Sequence, residues 1–194
     1  MYINRAIEEV IKNNFSKSKS LAITGARQVG KTTVTKHLYS NIKRINMKDS
    51  FLLSNAKEDP LLFLKNYGTP LFIDEVQNAP FLLDEVKVVL DETTKKGNYI
   101  FSGSQKWELM KGLTESLAGM VSVLEMTGLS MREIKGISFN RAFSLKEDYI
   151  SERASNLIPY DHIWEYIHHG FYPELYDDNP RNCENFYRDY VSTY

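Results

Sequence analysis

The sequence predicts an α/β domain built on a mostly parallel five-stranded sheet, and three observations carry that prediction. Short apolar runs alternate with segments of helical spacing along residues 1–138. Several of those runs are apolar at consecutive positions, the pattern of strands covered on both faces. Two of them end in residues suited to phosphate and metal chemistry, at the strand ends where open α/β sheets bind ligands.

Ile3, Ile7, Val10, Ile11 and Phe15 recur at helical spacing and predict an amphipathic helix over Asn4 to Asn14. A polar link, Ser16 to Lys19, leads to a first strand over Ser20 to Thr24. Directly after it stands Gly25-Ala26-Arg27-Gln28-Val29-Gly30-Lys31-Thr32-Thr33, which contains the pattern G-x-x-x-x-G-K-[ST]. Glycines at the first and sixth positions let the backbone curl tightly, so that successive N–H groups turn toward phosphate oxygens. A helix predicted from Thr33 to Ser40 adds its positive N-terminal end to the same anion. In this pattern Lys31 reaches the β- and γ-phosphates, and the Thr32 hydroxyl binds Mg²⁺. Residues 25–33 are therefore the expected nucleotide-binding set.

Arg44 to Met47 reads as a second strand, and Asp59-Pro60 as a helix start leading through Leu61 to Tyr67. Gly68-Thr69-Pro70 breaks the chain before Leu71-Phe72-Ile73-Asp74-Glu75, a buried strand with two carboxylates at its C-terminal end. Asp74 follows Lys31 by 43 residues, room for the intervening helices and strand. It is the expected second Mg²⁺ ligand, and Glu75 the expected base that polarises the attacking water. Asn78-Ala79-Pro80 opens a helix with Leu82, Leu83, Val86 and Leu90 on one side. Gly97-Asn98 ends it, and Tyr99 to Ser102 forms a further buried strand running into Gly103-Ser104-Gln105. Trp107, Met110 and Leu113 are expected core positions of the next helix, and Val121 to Leu124 the fifth strand. Ser130-Met131-Arg132-Glu133 has the capping-box spacing.

From Phe139 the alternation stops, and residues 139–194 are expected to form a small helical segment. Its aromatic and His-rich stretch includes Tyr160, Trp164, His168 and His169, but adjacent histidines face different sides of a helix, and no metal site is expected there. Gly170 to Pro173 reads as a turn between two helices. Helical spacing continues from Phe186 toward Tyr194 with no stop signal, which suggests a chain that runs on into a further region.

In this order the motifs resemble the AAA-like P-loop ATPase domain at the N-terminus of a large prokaryotic ATP-binding protein family. The matching stretches are Tyr2 to Arg5, Thr24 to Thr33, Phe72 to Pro80, Ser102 to Ser104, Ser116 to Gly119, Leu129-Ser130, Gly170 to Glu174 and Tyr190 to Tyr194. The resemblance implies a three-layer P-loop NTPase fold of AAA/ASCE type with strand order 5-1-4-3-2. It also implies Mg²⁺-dependent ATP hydrolysis, with Ser102 or Ser104 as the polar sensor on the fourth strand. Such proteins continue into a winged-helix-like segment and a separate C-terminal domain. That domain, ATP and a homo-oligomeric neighbour are the implied partners. The family usually carries Arg directly after Leu-Ala-Gly, where this chain has Met120. If that Arg senses the γ-phosphate, this protein lacks it, or Arg132 or Arg141 substitutes.

Composition bounds the rest. A formal net charge of −1 over 194 residues gives no global electrostatic case for nucleic acid, so direct DNA binding is not expected. Cys183 is the only cysteine, which fits a reducing, cytoplasmic setting, and no apolar run is long enough to span a membrane. The leading expectation is an ATPase whose hydrolysis drives conformational change in other domains. The alternative is a nucleotide-gated binding module that hydrolyses little, and a P-loop kinase is disfavoured because the paired acids suit activating water.

Overall fold

The computed structural model describes residues 2–104, 111–113, 115–137, 139, 141, 143–157, 159 and 161–193. The expectations placed on Gln105, Trp107, Met110, Tyr160 and Tyr194 lie outside the described residues. The chain divides into two compact units, residues 7–127 and residues 1–6 with 128–194. The sequence reading had drawn its boundary at 138.

In the first unit five strands form one parallel sheet: β1 (Ser20–Thr24), β2 (Lys43–Asn46), β3 (Leu71–Asp74), β4 (Tyr99–Gly103) and β5 (Val121–Glu125). Their spatial order is β2-β3-β4-β1-β5, the expected 5-1-4-3-2 read from the other side. All four strand pairs are parallel, with Thr24 opposite both Gly103 and Glu125, and Asn46 opposite Asp74. The sheet's C-terminal edge therefore brings together the ends of β1, β3 and β4.

Period-two alternation decides which side chains serve which face. Ala22, Leu71, Ile73, Tyr99 and Phe101 join one core with Leu82, Leu83, Val86 and Leu90 of α5 (Leu82–Asp91) and with Phe63 and Leu64 of α4 (Pro60–Tyr67). Leu21, Ile23, Phe72 and Ile100, the intervening positions, are also fully buried. α1 (Glu8–Lys17) lies against β1, β5 and α2 (Lys31–Leu38), burying Ile11 and Phe15. The expected first helix thus begins four residues late, because Arg5 and Ala6 belong to another arrangement described below and Ile7 is the helix cap.

One helix had no counterpart in the sequence reading: α3 (Ser50–Glu58). Its cap is Asp49, whose carboxylate accepts from the Phe51 and Leu52 amides. Ala56 is fully buried and Leu52 and Leu53 pack half-buried against the same core, while Phe51 is left exposed. Asp59 caps α4 as expected, accepting from the Leu62 amide at 2.9 Å.

In the second unit the capping box at Ser130 forms around α6 (Met131–Ile134) and does more than cap. The Glu133 carboxylate accepts from the Ser130 amide, the Ala6 amide and Nε of buried Arg5. Burial would raise its pKa, but these bonds hold it below the ordinary carboxylate range. Arg5 also donates to the Gly128 carbonyl at 3.0 Å. Farther along come α7 (Glu147–Ser155), α8 (Ile163–His169) and α9 (Cys183–Ser192). The turn after Gly170 leads into a short 3-10 helix, Pro173–Tyr176, and not directly into an α-helix. Gly170 takes φ +80°, and a Cβ there would lie 1.6 Å from the Tyr187 hydroxyl. His169 Nε2 donates to the Leu175 carbonyl at 2.9 Å and its ring packs edge-on to Tyr176, a packing role. Among the described residues no helix is long and apolar enough to cross a membrane.

Candidate functional site

The site is assembled where β1, β3 and β4 end. Thr24 hands the chain to Gly25 at φ +140°, and Gly30 at φ +97° returns it into α2. Gly25 is required twice over: a Cβ would stand 2.1 Å from the Met126 carbonyl oxygen, and L side chains rarely adopt its φ. Gln28 sits between them in the left-handed region at φ +63°. Ala26, Arg27 and Gln28 are exposed at the loop's apex, whereas Val29 is buried and pins it to the domain. No side chain caps the N-terminus of α2, which leaves that positive end available to an anion.

Lys31 is 8% exposed, and its Nζ donates to the carbonyls of Gly25 (2.9 Å) and Ala26 (2.7 Å). Burial lowers its pKa, opposed by the carboxylates of Glu75 and Asp74. Thr33 is exposed on the outer side of α2.

Asp74 is the hub. Its Oδ2 accepts from the Thr32 hydroxyl at 2.9 Å, and its Oδ1 accepts from the Ser102 hydroxyl and from the Glu75 amide (3.1 Å). Ser102 is fully buried beneath it. Thr32 and Asp74 are thus in contact although 42 residues apart. A hydroxyl and a carboxylate side by side are the hard oxygen donors that Mg²⁺ takes alongside phosphate and water, so this pair fits the ion.

Glu75 departs from strand geometry at φ +54°, which turns its side chain away from the path of β3. Its Oε1 accepts from Lys48 Nζ at 2.8 Å, and its Oε2 from Gln77 Nε2 (2.5 Å) and the Ser104 hydroxyl (3.3 Å). Burial would raise its pKa, yet the bonds from Lys48 and Gln77 hold it below the ordinary range. The two serines named from sequence therefore divide the work: Ser102 serves Asp74, and Ser104 serves Glu75.

Sequence reasoning had passed over Lys48 and Gln77. The available signals were position only, Lys48 two residues beyond β2 at the same edge and Gln77 two residues beyond Glu75.

Met120 is not part of this constellation. Val121 pairs with Ser20, the first residue of β1, and the Met120 carbonyl accepts from Ser20 N and Oγ. From there to Thr24 the strand advances roughly 13 Å, at ~3.3 Å per residue. A side chain at 120 belongs to the opposite edge of the sheet and packs against the apolar core. Within the second unit, Arg132 donates to the Phe139 carbonyl and stacks on its ring, and Arg141 pairs with Asp148 and Glu152.

The sequence model of a protein family described as AAA domain matches residues 17–135 of this chain. Two curated proteins, the uncharacterised Mb2031c of Mycobacterium bovis and Rv2008c of Mycobacterium tuberculosis, are each 26% identical to it over 132 residues. Each alignment covers 68% of this chain but only 30% of the relative, so the matched stretch spans less than a third of their length. Among solved structures, the Walker-type ATPase PABY2304 of Pyrococcus abyssi superposes with a TM-score of 0.52 at 14% identity, covering 70% of this chain and 57% of its own. At that identity the likeness concerns the fold.

Proposed function

The chain belongs to this family of AAA domains, and on that premise we propose that it binds ATP with Mg²⁺ through residues 25–33 and hydrolyses it. One observation carries the reading: Asp74 is bonded at once to Thr32 of the loop and to Ser102 of β4. Strand ends far apart in sequence are thereby locked into one oxygen-rich centre beside a buried lysine. Lys31, once phosphate oxygens replace the carbonyls of Gly25 and Ala26, neutralises the triphosphate. Thr32 and Asp74 would hold Mg²⁺, which supplies charge neutralisation across the β- and γ-phosphates. Glu75 orients the attacking water and takes its proton. Ser102 fixes the Asp74 carboxylate, and Ser104 that of Glu75. The chemistry drives movement of further domains, in keeping with relatives more than twice as long.

A second reading, a nucleotide-gated module with little turnover, draws on the bonds that occupy both Glu75 oxygens. The two part on one measurement, phosphate release with ATP and Mg²⁺. Binding itself is tested by Lys31→Ala, which removes the loop's buried cation. Calorimetric titration with ATP and Mg²⁺ should then give no measurable binding, and unchanged affinity would place the nucleotide elsewhere.

A further inference from the structure

We infer that Lys48 is a second phosphate-facing cation of this site, one that holds Glu75 until a triphosphate arrives and then moves to its terminal phosphate. The inference rests on the ATPase reading above and assigns that site its means of telling ATP from ADP.

The pair is built asymmetrically. The Glu75 side chain is 14% exposed and the Lys48 side chain 55%, so the lysine is the partner free to swing. Glu75 would not follow it, because Gln77 and Ser104 hold its other oxygen. The Lys48 backbone is fixed on both sides. Met47 is fully buried and its amide donates to the Asp74 carbonyl at 2.9 Å. The Lys48 amide itself donates to Asn46 Oδ1, also at 2.9 Å, and Asp49 caps α3. A flexible four-carbon stem on a rigid stalk sweeps a small volume, here the space over the C-terminal edge of β2 and β3. That space adjoins the loop: Lys48 is bonded to Glu75, and Asp74, the preceding residue, is bonded to Thr32 of the loop.

Electrostatics sets the direction of the swing. Glu75 offers Lys48 one carboxylate charge, whereas a terminal phosphate offers more negative charge and three oxygens. A triphosphate therefore outcompetes the carboxylate, and a diphosphate, which has no terminal group there, leaves the pair closed. The move has two consequences in one event. Glu75 loses the cation that occupies its Oε1, which opens that oxygen to the attacking water, and the transferring phosphoryl group gains positive charge beyond Lys31. Nothing at position 120 supplies that charge from within this chain, since Met120 is neutral and stands at the other edge.

The test measures affinity and turnover in the same proteins. Calorimetry with Mg²⁺ is run with ADP and with a non-hydrolysable ATP analogue, and phosphate release is followed with ATP. Lys48→Met should lose roughly tenfold or more in affinity for the triphosphate analogue, the loss of one charge-assisted bond, with ADP affinity unchanged. Its turnover should fall at least as far, and Lys48→Arg should keep most of both. The retained ADP binding also reports an intact fold. Unchanged analogue affinity with equal or faster turnover would overturn the inference, leaving Lys48 as a brake on Glu75 alone; so would a parallel loss of ADP binding. If the unaltered protein binds neither nucleotide, the ATP-binding reading itself fails, and this inference with it.

Discussion

The two edges of the sheet are made from the same five strands but are finished differently. At the N-terminal edge the joins all end on main-chain carbonyls: Ser20 N and Oγ to Met120 O, Leu71 N to Asn98 O, Gly97 N to Ser18 O, and Asn98 Nδ2 to Lys19 O. At the C-terminal edge main-chain bonds such as Met47 N to Asp74 O are joined by side chains that end on carboxylates, Thr32 and Ser102 on Asp74, and Lys48, Gln77 and Ser104 on Glu75. Bonds that end on main-chain carbonyls present no ionisable group to a ligand. Side-chain closure leaves hydroxyls, carboxylates and ammonium groups ready to exchange one another for a ligand. The difference teaches where chemistry is available in a parallel sheet and where a charge would be wasted.

The comparison breaks most severely at Gly25→Ala. An added Cβ at φ +140° meets the Met126 carbonyl at 2.1 Å, a backbone atom that cannot step aside. Strain and overpacking together should destabilise the domain by roughly 3 kcal/mol or more, seen as a lower denaturation midpoint, and should abolish ATP binding. A wild-type midpoint would mean the loop relaxes freely.

Glu75→Gln tests the chemical half of the C-terminal edge. It should leave ATP affinity near wild type and slow turnover by roughly 10²-fold. Wild-type turnover in a protein that hydrolyses ATP would remove Glu75 from the base role and leave it as an anchor for Lys48.

The smallest effect is expected from Met120→Arg, which places charge at the main-chain edge. If the family's arginine sensed the γ-phosphate, restoring it would raise turnover, because phosphoryl transfer needs positive charge beyond Lys31. With position 120 paired to the start of β1, turnover of the isolated chain should not change. A gain that grows with protein concentration would show the arginine acting on a neighbouring subunit, and a concentration-independent gain would contradict the edge assignment.

Residue order alone determined much of this protein. Gly25, Gly30, Lys31 and Thr32 are contiguous, so their spacing writes a phosphate loop whatever surrounds it, and the consecutive apolar runs ending at Asp74 and Ser102 declare strands covered on both faces. Other features depended on contacts that sequence distance hides. Helix α3 is faint in the sequence because its core-facing residues are few, Leu52, Leu53 and Ala56, and exposed Phe51 blurs the stripe beside the Asp49 cap. Asn4 to Ile7 carry helical spacing, yet the Ala6 amide and Arg5 spend their bonds on Glu133. The pairings of Asp74 with Thr32, 42 residues away, and of Glu75 with Lys48, 27 away, arise only when parallel strands end at one edge. Met120 shows the converse: its significance lay in which end of β5 it adjoins, and strand direction within a sheet is fixed by packing and crossover handedness, which one chain's local pattern does not encode.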